Sequence, residues 1–152
     1  MSGRYFLDTN ILVYAVELRG EDPAKAEAAR KLVTQGDPWI STQVLGEFYV
    51  AVTSPRRAHP LSPQHAVAWI QFWKRFQVCG ITSAHVDLAL DLATRFGIGY
   101  YDALVLAAAS LADCSLVYSE DLSDRQVYDG IQVRNPFRRQ APGRVDEDLG
   151  GS

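Results

Sequence analysis

Short apolar runs alternate with amphipathic stretches along most of the chain. Arg4-Tyr-Phe-Leu-Asp8 reads as a short buried strand ending in a carboxylate, and Thr9 and Asn10 are suitable caps for a helix over residues 11–16. Past the turn signal Gly20-Glu-Asp-Pro23, residues 24–33 have helical character, and Trp39-Ile-Ser41 is a short strand. Residues 43–52 place apolar side chains at 44, 45, 48, 51 and 52, a helical period. After the loop 54–60, Ser62-Pro63 opens a helix reaching about residue 76, with Pro in its first turn. Val78-Cys-Gly-Ile81 is a strand, and Ser83 caps a helix that Gly97 stops. Asp102 begins a nearly all-apolar helix over 103–112, which should be central and buried. Ser115-Leu-Val-Tyr118 is a strand leading into the acidic loop 119–124, and Gly130-Ile-Gln-Val133 is a last strand. Short apolar strands alternating with helices predict a parallel sheet covered on both faces. In such sheets the site lies beyond the carboxyl ends of the strands, where Asp8 and Asp121 fall.

Composition narrows the class without naming a chemistry. The chain has 152 residues, 47% hydrophobic and 22% charged, which is the make-up of one ordinary globular domain and not of a fibrous or disordered chain. Two cysteines, Cys79 and Cys114, are too few for a disulfide framework or a zinc cluster. With no signal-like or membrane-length apolar run, the expectation is a soluble cytoplasmic protein. A net charge of −3 neither supports nor excludes a polyanionic substrate, because Asp146, Glu147 and Asp148 gather in the C-terminal segment. From Arg138 onward the composition turns polar and Gly-rich, predicting one domain over 1–137 and a disordered tail over 138–152.

Four acids stand at positions that become informative only together. Asp8 ends the first strand, Glu47 flanks the apolar stripe of 43–52, Asp102 precedes the most hydrophobic helix, and Asp121 lies in the loop after a strand. Each has an ordinary explanation alone: an Asx turn, an exposed Glu, a helix cap, a solvated loop. Gathered at one sheet edge they repel and raise one another's pKa, so the fold needs a counter-charge. These motifs contain no Lys or Arg. A hard divalent ion such as Mg²⁺ or Mn²⁺ suits an all-oxygen site better than zinc does.

These acids lie in segments that resemble the PIN-domain ribonucleases, above all the toxins of VapBC-type bacterial toxin–antitoxin modules. The segments are Tyr5-Phe-Leu-Asp-Thr-Asn10, Gln43-Val-Leu-Gly-Glu-Phe48, Tyr101-Asp-Ala-Leu-Val-Leu-Ala-Ala-Ala109, Ser119-Glu-Asp-Leu122 and the closing Gly130-Ile-Gln-Val-Arg-Asn-Pro-Phe137. The resemblance implies a three-layer α/β/α fold with a short-stranded, mainly parallel central sheet. It implies metal-binding acids at Asp8, Glu47, Asp102 and Asp121, a nearby hydroxyl at Ser119, and supporting roles for Thr9 and Asn10. Glu120 and Asp124 stand within reach of the fourth acid's place. The implied activity is Mg²⁺-dependent hydrolysis of RNA phosphodiesters by metal-activated water, with Mn²⁺ as a substitute. The implied partners are a transfer or messenger RNA substrate, a small antitoxin and a second copy of the chain.

The alternatives are an aspartate-nucleophile phosphatase, a receiver-like domain, and a non-catalytic module of the same fold that binds nucleic acid or a partner. The phosphatase needs a second Asp two residues after the first, where Asn10 stands. The receiver needs an Asp at the end of the middle strand, and Val78–Ile81 offers none. His59, His65 and His85 are not spaced as ligands or as part of a nucleophilic triad. Trp69, Phe72, Trp73 and Phe76 recur at helical spacing, which predicts core packing, with an exposed rim that receives a partner helix as the alternative. Arg56-Arg57, in the loop before Pro60, is a candidate phosphate contact, with a merely solvated loop as the equal alternative.

Overall fold

The computed structural model describes residues 3–18, 20 and 22–138. The tail expected over 138–152 therefore lies, beyond Arg138, outside the described residues. The chain begins with β1 (Tyr5–Leu7), α1 (Thr9–Ala15), α2 (Pro23–Thr34), β2 (Trp39–Ser41), α3 (Thr42–Thr53) and α4 (Pro63–Trp73). It continues with β3 (Gln77–Cys79), α5 (Ser83–Phe96), α6 (Tyr100–Leu111), β4 (Leu116–Tyr118), β5 (Val127–Tyr128) and β6 (Ile131–Arg134).

The six strands form one sheet in the order β3-β2-β1-β4-β6-β5, parallel except for the β5–β6 pair. From β1 the chain moves outward through β2 to β3, then returns past β1 to β4. Right-handed crossovers place helices on opposite faces for opposite directions of travel. Accordingly α1 packs with α2 and α3, and α3 with α4, while α5 packs with α6 and α6 lies against β2, β4 and β6. Neighbouring residues Phe6 and Leu7 of β1 are both fully buried, as a strand covered on both faces requires. All of Ala103–Ala109 in α6 is buried, so this is the central helix that its composition predicts.

Several boundaries differ from the sequence reading for identifiable reasons. The helix of residues 62–76 ends at Trp73, and Phe76 joins the core from the following turn, with its N–H on the Trp73 carbonyl at 2.9 Å. The cap of α5 is Thr82 rather than Ser83, and His85 is buried there, its Nδ1 accepting the Thr82 N–H at 3.0 Å. Asp102 is not a cap: Gly99 is the N-cap of α6, which places Asp102 in the first turn. Gly97 ends α5 at φ 65°, a left-handed residue in the place where glycine costs least.

The β5–β6 hairpin is absent from the sequence reading. Its two-residue turn, Asp129-Gly130, has both φ angles positive, at 55° and 88°. The Asp-Gly pair signals this connection, but the strand it returns from has only two residues. The aromatic set divides between the two readings: Trp73 is buried and stacks on Trp69 with centroids 5.2 Å apart, whereas Phe72 is 42% exposed.

Candidate active site

The sheet reverses its direction of growth between β1 and β4, and a crevice opens at such a point beyond the strand ends. The register pairs Leu7 with Tyr118, so the next residues, Asp8 and Ser119, emerge side by side. Both are buried, and the Ser119 hydroxyl donates to Asp8 Oδ2 at 2.7 Å. Asp8 is also the N-cap of α1, its Oδ1 accepting the Thr9 N–H at 2.7 Å. The capping role and a place in an acidic cluster are thus held by one residue. Burial pushes the Asp8 carboxyl up to about 7, and the charges of Asp121 and Glu47 push the same way. The bonds from Ser119 and Thr9 oppose the rise without cancelling it.

Glu47 comes to this edge on α3, whose start is fixed by Ser41 accepting the Val44 N–H at 3.2 Å. Its place in the sequence, taken alone, predicts an exposed side chain, but both its oxygens are held. Thr9 Oγ1 donates to Oε1 at 2.7 Å and Gln43 Nε2 to Oε2 at 3.1 Å. Gln43 also reaches the Tyr101 carbonyl at 3.3 Å, linking α3 to the first turn of α6. Sequence reasoning missed Gln43, although its i, i+4 spacing to Glu47 is legible there.

Asp102 is half-buried and has no hydrogen-bond partner among the described residues. Burial raises its pKa, and so do the charges of Asp121 and Glu47. Asp121 accepts from Asn10 Nδ2 at 3.1 Å, while its N–H donates to Ser119 Oγ at 3.1 Å. Asn10 Oδ1 in turn accepts the Glu120 N–H at 3.3 Å.

The neighbouring acids are engaged elsewhere. Glu120 pairs with Lys25 from α2 and accepts from the Tyr14 hydroxyl at 3.1 Å. Asp124 accepts the Asn135 N–H at 2.8 Å and faces Arg138 at 3.6 Å. Asp8, Glu47, Asp102 and Asp121 therefore share one electrostatic neighbourhood, and among the described residues none has an ion-pair partner. Their donors are all oxygen, the set that suits a hard divalent ion. Among the described residues no three His, Cys, Asp or Glu side chains converge tightly enough to enclose an ion, so an ion here would draw the acids together or bind partly through water.

Beside these acids lies a cavity of about 490 Å³ lined by Thr9, Asn10, Glu47, Arg57 and Asp121 among others. A larger hollow of about 570 Å³ lies at the opposite end of the sheet, bounded by Gly3, Arg4, Tyr5, Asp37 and Trp39. Among the described residues its only acid is Asp37, so volume and chemistry point to different ends of the molecule and the chemistry is the better guide. Cys79 is half-buried and Cys114 buried, and burial raises both thiol pKa values. They are inert small side chains rather than nucleophiles.

Residues 5–129 match the PIN domain family, and the chain belongs to that family. Among solved structures it is similar to a toxin–antitoxin complex from Klebsiella pneumoniae, with 18% identity and a TM-score of 0.63 over 89% of this chain and 99% of that one. It is likewise similar to VapC20 of Mycobacterium tuberculosis, a toxin that cleaves the sarcin–ricin loop, with 18% identity and a TM-score of 0.61 over 77% and 91% of the two chains. DNA-bound VapBC from Salmonella typhimurium aligns at 20% identity with a TM-score of 0.60, covering 90% of this chain and 99% of the other. No curated protein matches the sequence.

Proposed function

We propose that this chain is a metal-dependent endoribonuclease and the toxin of a type II toxin–antitoxin pair. The observation that carries the nuclease reading is the group of four carboxylates at the switch point, none of them neutralised by a Lys or Arg among the described residues. Asp8, Glu47, Asp102 and Asp121 would hold Mg²⁺ or Mn²⁺, which would neutralise their charge, acidify a water for attack on phosphorus and stabilise the developing phosphoryl charge. Ser119 and Thr9 orient the Asp8 carboxylate, Thr9 and Gln43 hold both oxygens of Glu47, and Asn10 holds Asp121. Asp102, without a hydrogen bond of its own, is the acid most free to turn toward a ligand. No histidine lies in this constellation, so the scissile oxygens are not served by an imidazole acid–base pair. Hydrolysis should leave a 5′-phosphate and a 3′-hydroxyl.

The toxin reading is supported by likeness to the VapBC structures and implies an antitoxin partner, a homodimer and a cytoplasmic setting. None of the described helices is long and apolar enough to cross a membrane. The deciding experiment incubates defined transfer and messenger RNAs with Mg²⁺ and compares wild type with Asp102→Asn. Cleavage by wild type alone, with the stated ends, supports the reading, and a 2′,3′-cyclic phosphate product overturns the mechanism. RNA binding without turnover at any metal concentration would indicate the non-catalytic module instead. Expression should arrest growth of a bacterial host, and co-expression of the small protein encoded beside it should restore growth. Normal growth with soluble, active nuclease would remove the toxin role alone.

A further inference from the structure

A polyanion approaching four carboxylates needs positive charge of the protein's own as well as the ion. Of the residues lining the 490 Å³ cavity beside the acids, Arg57 is the only Lys or Arg among those described. It comes from the loop between α3 and α4. That loop is fixed at its base, with the Leu61 N–H on the Val52 carbonyl at 2.8 Å and the Arg57 N–H on the Ser54 carbonyl at 3.1 Å. The Arg57 side chain is only 11% exposed, and its Nη2 donates to Glu17 Oε1 at 2.8 Å. Glu17 is itself anchored, because Arg30 donates to its carbonyl and to that of Ala15.

The guanidinium has five N–H donors in a planar fork that matches phosphate geometry. Among the described residues only Nη2 meets an acceptor, and Nε is buried without one. A buried Nε–H without an acceptor is expensive unless something completes its shell, and the remaining Nη donors keep access to the surface. Lys25 is the useful contrast: it stands near the same edge but has both Glu120 and the Tyr14 hydroxyl as partners. Arg57 therefore has donors to offer a ligand where Lys25 is already engaged.

We infer that Arg57 is a phosphate-binding residue of this site, braced by Glu17 so that its free donors receive a non-bridging oxygen of an RNA phosphodiester in the cavity it shares with Glu47 and Asp121. The inference deepens the ribonuclease reading and rests on it for the identity of the polyanion. Two charges of opposite sign then have different roles, the acids serving the ion and the guanidinium serving the phosphate. The rival account is that the Arg57–Glu17 pair only ties the loop to the end of α1.

The test measures binding of a short fluorescein-labelled single-stranded RNA, in Mg²⁺, to full-length Asp102→Asn protein, with Arg57→Gln or Arg57→Lys added. Arg57→Gln should weaken binding about tenfold and flatten the slope of log affinity against log salt by about 0.7, the loss of one phosphate contact on a single strand. Arg57→Lys, which retains the charge, should retain the slope. Parent-like affinity and slope in a folded Arg57→Gln protein would overturn the inference. Should Arg57→Gln not fold, the Arg57 Nε–H resonance of the Asp102→Asn protein decides: a shift that saturates with added RNA supports phosphate binding, and a resonance that RNA leaves in place supports the loop tie. Arg57-dependent binding by a wild type that never cleaves RNA would overturn the nuclease reading and keep this one. Cleavage by wild type with kcat and KM unchanged in Arg57→Gln would do the reverse.

Discussion

Asp129 and Asp8 show what one side chain does in two settings. At the β5–β6 turn, Arg95 donates to both oxygens of Asp129 at 3.2 and 2.8 Å, and its Nε reaches Asp91 one turn earlier on α5 at 2.9 Å. Those hydrogen bonds hold the Asp129 carboxyl below its ordinary range. At the switch point Asp8 is buried, has acids rather than a cation as charged neighbours, and is pushed up to about 7. In the first cluster both acids share one guanidinium, and it lies in water, which screens its contribution to stability. In the second, no Lys or Arg among the described residues pairs with the acids. An unbalanced buried acid costs stability, and under the proposed function an ion would offset that cost.

The sharpest way to break this comparison is by activity. Asp8→Asn, Asp102→Asn and Asp121→Asn should each lower RNA cleavage by about a hundredfold or more, comparable to losing a group that acts at the reacting phosphate. Circular dichroism should show the fold intact, since repulsion is relieved. Asp129→Asn should leave turnover unchanged. Full activity in any two of the three switch-point variants would sink the site.

A second contrast appears with pH. The Asp8 carboxyl is raised in the folded chain, so the native state binds more protons than the unfolded state between the two pKa values. Its contribution to stability is therefore greatest below about pH 4 and is lost as pH rises through about 7. The rise corresponds to about 4 kcal/mol if fully expressed. In EDTA, the melting temperature of Asp8→Asn relative to wild type should climb from pH 4 to pH 8, and Mg²⁺ should shrink the difference by stabilising wild type more. A difference that is flat with pH, or equal metal shifts in both proteins, would place the unbalanced charge elsewhere.

The smallest effect is expected at the exposed Arg95 cluster. Arg95→Ala should leave RNA cleavage unchanged and shift the melting temperature less than Asp8→Asn does at pH 8, because exposed pairs are screened and mobile. A larger loss would show that the hairpin turn depends on the Arg95 fork.

Much of this protein is carried by local pattern, and that much can be read from its residues in order. Asp8 after Tyr5-Phe-Leu, the period of α3, the apolar run of α6 and the strand before Ser119 follow from burial and from helical or extended repeat, which are properties of neighbours in sequence. They suffice for an α/β chain with acids at one sheet edge. Which of Glu120, Asp121 and Asp124 meets a cation is not a local matter: Lys25 and Tyr14 engage Glu120 from 95 and 106 residues away, and Asn135 and Arg138 engage Asp124. The clamp on Glu47 required Thr9, 38 residues distant, to arrive beside it, and Arg57 met Glu17 across 40 residues. Hydrogen bonds and ion pairs depend on distances of about 3 Å, which only the packed chain defines. Local pattern places acids near one edge, and tertiary packing decides that Glu120 and Asp124 meet a cation while, among the described residues, Asp8, Glu47, Asp102 and Asp121 do not.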